Sequence, residues 1–215
     1  MTATDEKTNA EEAENSDANA AKTETEIRCA PSPRRHRMRP AGAVALAGVY
    51  AALIIGGKEA LAAIPNVEIV TLLCALGGYA LGAISVVSVF AFVTVEGAIY
   101  GFGTWIVSYY LYWPLVAVAF MALGRMIGVR SRIAIRIVPA VAALLLTAWF
   151  SVLTSLIDVG LLTGFFENFH VRFAVYYVRG IPFYITQLAT NLVLFPIFFP
   201  VLAKTLIKLR MRLFL

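Results

Sequence analysis

The sequence predicts an all-α integral membrane protein, a bundle of six transmembrane helices with the N- and C-termini cytoplasmic. Three observations predict it. Hydrophobic residues make up 60% of the 215 positions, charged residues 14%, and mean hydropathy is +0.79. An ordinary soluble domain is about 45–50% apolar and about 25% charged, so this chain could not cover a water-facing surface. Beyond Pro40 the apolar residues fall into runs close to the length that crosses a bilayer, about 20 residues. Finally, the basic residues cluster at every second junction between those runs.

Residues 1–39 stand apart. Positions 1–27 hold eight acids and two lysines, and positions 28–39 hold five arginines and no acid. With no aromatic residue and little periodicity, the segment cannot bury enough surface to offset its ordering entropy. It is expected to be a disordered cytoplasmic tail, first acidic and then basic, ahead of a six-helix membrane domain over 40–215. It is not expected to be a signal peptide, because the acidic stretch comes first and no cleavage-like site follows an apolar core.

The expected spans are Ala41–Ile64, Glu68–Ile84, Ser85–Tyr100, Trp105–Ile127, Ile137–Leu162 and Ile181–Ala203. Pro65 and the Gly101–Gly103 stretch end spans, while Pro114 and Pro196 lie inside them. Spans two and three are short and joined with almost no polar loop. The basic clusters are Arg34, Arg35, Arg37 and Arg39; Arg125, Arg130, Arg132 and Arg136; and Lys204, Lys208, Arg210 and Arg212. Six spans put all three on one side, which the positive-inside rule makes cytoplasmic. Five would put the last cluster outside.

That topology sends the acids of the membrane domain outward. Lys58, Glu59, Asn66 and Glu68 fall at the outer ends of spans one and two, and Glu96, Tyr100, Thr104 and Trp105 at the outer end of span three. Residues 158–179, with Asp158, Glu167, Asn168, His170, Arg172, Tyr176, Tyr177 and Arg179, form the outer connection between spans five and six. Ionisable groups at membrane depth are costly and face a bundle interior, a partner or water. Glu96 lies in an otherwise apolar helix with Tyr100 four residues on, on the same face. A structural ion pair with Lys58 or an arginine and a substrate or proton site are the two readings of it.

On span six Tyr184, Gln187 and Asn191 make a polar stripe reaching toward mid-bilayer. Interhelical hydrogen bonding is one reading. Combined with Lys58, Asn66, Glu68, Glu96, Tyr100 and Trp105, a substrate cavity open to the outside is the other. No charged residue lies deep in spans two, three, five or six, which argues against an ion channel. Cys29 and Cys74 make no disulfide framework, and His36 and His170 suggest no metal centre. No nucleotide-binding motif occurs, so active transport would need a partner or an ion gradient.

Several strings together resemble the substrate-binding S components of energy-coupling factor (ECF) transporters. They are Ala43, Ala47 and Ala51 at four-residue spacing, Ile64-Pro65-Asn66-Val67-Glu68 opening span two, and Glu96-Gly97-Ala98-Ile99-Tyr100-Gly101-Phe102-Gly103-Thr104-Trp105 closing span three. The resemblance covers about residues 41–208. It implies a non-enzymatic, multi-pass subunit of the cell membrane that binds a vitamin or related micronutrient from the outer face. It implies docking, through Ala43, Ala47 and Ala51, onto a transmembrane T component coupled to two ATPase subunits. ATP would be bound by those partners, and this chain would hold no cofactor. The alternatives are a stand-alone secondary transporter, for which no inverted repeat is visible, and an intramembrane enzyme using Glu96 and His170, which lacks a nucleophile–base pair.

Overall fold

A computed structural model describes residues 39–64, 69–127, 133–162 and 166–214. The tail over 1–38 lies outside the described residues, and so do Asn66, Glu68, Arg130 and Arg132. Six α-helices and no strand occur among the described residues: α1 (Pro40–Leu61), α2 (Val70–Leu81), α3 (Ala83–Tyr100), α4 (Trp105–Ile127), α5 (Ala134–Leu156) and α6 (Phe169–Phe214). A wider π-helical turn, Ile157–Leu162, continues α5. All but α2 are long and apolar enough to cross a membrane. The chain is a multi-pass helical membrane protein.

Helix α2 is the centre of the bundle. All twelve of its residues are buried, and it packs against α4, α6, α3 and α1. A run of 12 residues rises only about 18 Å, short of the roughly 30 Å hydrocarbon core. Expected to run from Glu68 to Ile84, the helix stops instead at Gly82, whose φ of +68° ends it and starts α3 directly. Its glycines set the packing distance. A Cβ on Gly78 would sit 2.1 Å from the Ala117 carbonyl oxygen of α4, and one on Gly77 would sit 2.5 Å from the Tyr50 ring of α1. The core then continues through Phe92, Tyr112, Trp113, Phe120, Phe195 and Phe199.

Contacts define two ends. At one, α1 meets α3 through Lys58 and Glu96. At the other, Arg210 of α6 donates to the Ala80 carbonyl (2.8 Å) and Gly124 of α4 lies against Tyr79. The described acids, Glu59, Glu96, Asp158 and Glu167, all belong to the first, acidic end. Arg39, Arg125, Arg136, Lys204, Lys208, Arg210 and Arg212 belong to the second, basic end.

Helix α6 departs most from expectation. The charged segment expected as an outer connection is helical from Phe169 onward, and α6 runs 46 residues without interruption through Pro182, Pro196 and Pro200. At about 1.5 Å per residue it is roughly 70 Å long. The reason is an aromatic ladder at helical spacing: Phe169–Phe173, Phe173–Tyr177 and Tyr177–Tyr184 rings lie 5.4, 5.8 and 5.4 Å apart. Charge density in this stretch marks a solvated helix face, not a loop.

The first helix is asymmetric in the same way. Ala47 and Ala51 point into the bundle with Tyr50 and Ile54 and are buried there, and Ala43 is half-buried above them. That face of α1 packs against the rest of the bundle. Its small-residue pattern is satisfied by close approach within the chain. Gly48, Ala52 and Gly56 form the exposed ridge, and added methyl groups at either glycine would meet nothing.

Candidate functional site

The residues singled out by sequence separate into three places. Lys58, Glu96 and Tyr100 come together between α1 and α3. Glu96 is 0% exposed, and the Lys58 ammonium donates to its Oε2. The Tyr100 ring lies over that ammonium at 4.4 Å, and its hydroxyl donates to both carboxylate oxygens of Glu59, at 2.9 and 2.8 Å. The group is an interhelical clamp: two charges from α1, one from α3, and an aromatic lid. It accounts for the Glu96–Tyr100 spacing without a ligand. Glu96 Oε1 has no hydrogen-bond partner among the described residues.

Trp105 and Gln187 belong to a different place, a cavity of about 250 Å³ at the acidic end. From α4 and the turn before it come Thr104, Trp105, Ser108 and Tyr109. From α5 and the π-helical turn come Phe150, Thr154 and Asp158, spaced four apart and so stacked on one face. From α6 come Tyr176, Phe183, Tyr184 and Gln187. Ser108, Phe150 and Gln187 are buried and make the floor, while Thr104, Tyr176 and Phe183 are exposed and make the rim.

The walls are preorganised by ring contacts. Trp105 stands edge-on to Tyr109 at 4.9 Å, and Tyr109 meets Phe150 at 6.2 Å. On the opposite side the Tyr184 hydroxyl shares a hydrogen bond with Ser155 at 3.3 Å, and the Tyr184 ring leans on Tyr177. Among the described residues Asp158 is the only charged one of the lining. It stands at the start of the π-helical turn, one helical turn beyond Thr154 on the same face. Such a cavity can hold a small planar molecule between aromatic faces and offer it one carboxylate, three hydroxyl-bearing side chains of Ser and Thr, and an amide.

Asn191 is the third place. It is 1% exposed, one helical turn below Gln187, and its Nδ2 donates to Thr147 Oγ1 at 2.9 Å. Thr147 in turn donates to the Ala143 carbonyl at 2.8 Å. This is interhelical bonding between α5 and α6, the bland alternative of the sequence reading. Asn66 and Glu68 lie outside the described residues.

Sequence reasoning missed Ser108, Tyr109, Phe150, Thr154 and Phe183. Thr104–Ser108 and Trp105–Tyr109 repeat at four-residue spacing and so mark one face of α4. Phe150–Thr154–Asp158 does the same on α5. Those faces were readable as stripes, but their convergence with α6 was not. No family model matches the chain, and no curated protein or solved structure matches it.

Proposed function

We propose that this chain is the substrate-binding membrane subunit of an ECF-type transporter, capturing a vitamin-like molecule from outside for ATP-driven uptake. In this reading all six helices traverse the membrane, α2 doing so as a short buried segment, with both termini cytoplasmic and the acidic end outside. The observation that carries the reading is the aromatic cavity at the acidic end, enclosed by α4, α5 and α6 and open at its rim. The resemblance of the Glu96–Trp105 string to S components agrees with it, since Trp105 ends that string and walls the cavity. The subunit is non-enzymatic, sits in the cell membrane, and works with a transmembrane T component and two ATPase subunits.

A second reading, a carrier that works alone, draws on the buried Lys58–Glu96 pair. Ionisable pairs inside membrane bundles mark proton or ion pathways as well as structural clamps. One purification separates the two. Co-purification of ATP-hydrolysing subunits, with a small molecule identified by mass spectrometry in the extracted protein, supports capture. Substrate flux by the chain alone in proteoliposomes, driven by a pH or sodium gradient, refutes it.

A further inference from the structure

The basic end carries a second cavity that the capture reading does not use. It measures about 460 Å³ and is lined by Gly78, Gly82, Met121, Gly124, Arg125 and Arg210, among others, with no acid among the described residues of the lining. Gly82 leaves one side of it open. A Cβ on Gly82 would meet nothing nearer than the Met121 sulfur at 3.9 Å. Two guanidinium groups face one cleft from two helices, α4 and α6. Arg210 uses Nη1 on the Ala80 carbonyl, which pins it at the last turn of α2 and leaves its other N–H donors available to a ligand.

An apolar groove lies on two of the same helices, α2 and α6. Leu202, Leu206 and Leu209 of α6 face Leu73, Leu76 and Tyr50 across about 150 Å³, with Thr205 beside them. Leu209 directly precedes Arg210. The two features therefore meet on helices α2 and α6, one apolar and one basic.

We propose that this end of the bundle holds an anionic phospholipid, its phosphate between Arg125 and Arg210 and one acyl chain along the Leu202–Leu209 groove. Charge complementarity selects the occupant. All four described acids belong to the opposite end, so an anion meets no repulsion here, and Arg forks match phosphate oxygens two at a time. Basic pockets between transmembrane helices are where anionic headgroups bind. The apolar groove on the same two helices favours a lipid over a free phosphate.

The test uses the full chain in phosphatidylcholine nanodiscs with and without phosphatidylglycerol, and native mass spectrometry of the released protein. Wild type should retain phosphatidylglycerol. Arg125→Gln/Arg210→Gln should lower retention about tenfold or more, the equivalent of one or two charged hydrogen bonds. Lys204→Gln/Lys208→Gln, on the same end but outside the cleft, should retain it as wild type does. Because Arg210 also caps α2, Arg125→Gln alone is the decisive variant: its retention should fall while its unfolding temperature in phosphatidylcholine stays unchanged. Unchanged retention in Arg125→Gln, or an equal loss in the lysine pair, overturns the site. Displacement of the lipid by inorganic phosphate overturns the lipid as its occupant.

Discussion

A carboxylate with no exposed surface decides the chemistry of its surroundings, and Glu96 shows how. In the bundle interior a lone charge would cost several kcal/mol, about 3–5 kcal/mol when one partner of a buried pair is deleted. Lys58 supplies the counter-charge and keeps part of its surface exposed. Lys58→Met should therefore lower the unfolding temperature sharply in detergent, and Lys58→Met/Glu96→Met should recover most of the loss. A double-mutant cycle read by thermal unfolding checks this; additive single effects would remove the clamp. Asp158 is placed differently, on the cavity wall. Asp158→Asn should keep the fold and weaken ligand retention roughly tenfold to a hundredfold, the cost of a charged hydrogen bond of about 1.5–3 kcal/mol. Titration of the extracted ligand into the variant measures it. Asn191→Ala should do the reverse, lowering stability by about 1–2 kcal/mol through the lost Thr147 bond while leaving affinity intact.

Helices in this protein are distinguished by which face is already occupied. On α1, Ala51 is buried and Ala52, the next residue, is exposed. Ala51→Trp should therefore prevent bundle formation, whereas Ala52→Trp should purify with wild-type thermal stability. Size-exclusion profiles and unfolding temperatures of the two variants separate the faces, and equal behaviour would contradict the orientation of α1. Helix α2 makes the same argument at its glycines. Gly78→Ala drives a methyl group into a backbone carbonyl of α4 that cannot rotate away. Overpacking of this kind costs about 1–3 kcal/mol, so the variant should unfold earlier than Gly48→Ala, where space is open.

For the whole molecule, the separation of charge between two ends is the feature that a membrane reads. Basic residues flanking spans are retained on the cytoplasmic side, and all the described helix-flanking arginines and lysines outside Lys58, Arg172 and Arg179 gather at one end. With Cys29 replaced by serine and Cys74 buried in α2, a cysteine introduced at Asn168 should react with a membrane-impermeant maleimide from outside. One introduced at Lys204 should not. The reverse pattern would invert the molecule and place the aromatic cavity on the wrong side for capture.

The all-α membrane class, the existence of each helix and the gathering of acids at one end were legible in the residues, because hydrophobic run length and charge position are local properties that the bilayer enforces one helix at a time. The sequence also named Lys58, Glu96 and Tyr100, and Trp105 with Gln187, as chemically loaded. What it could not determine is which of them meet. That depends on helix rotation and on crossing distance, set here by Gly77 and Gly78 against α1 and α4. Only the tertiary structure turned Ala47 and Ala51 inward, joined Glu96 to Lys58, gave Asn191 to Thr147 and left Trp105 and Gln187 in a cavity. The physical reason is that a polar residue in a membrane bundle can satisfy itself against any neighbour within reach, and four-residue spacing defines a face without saying what lies across from it.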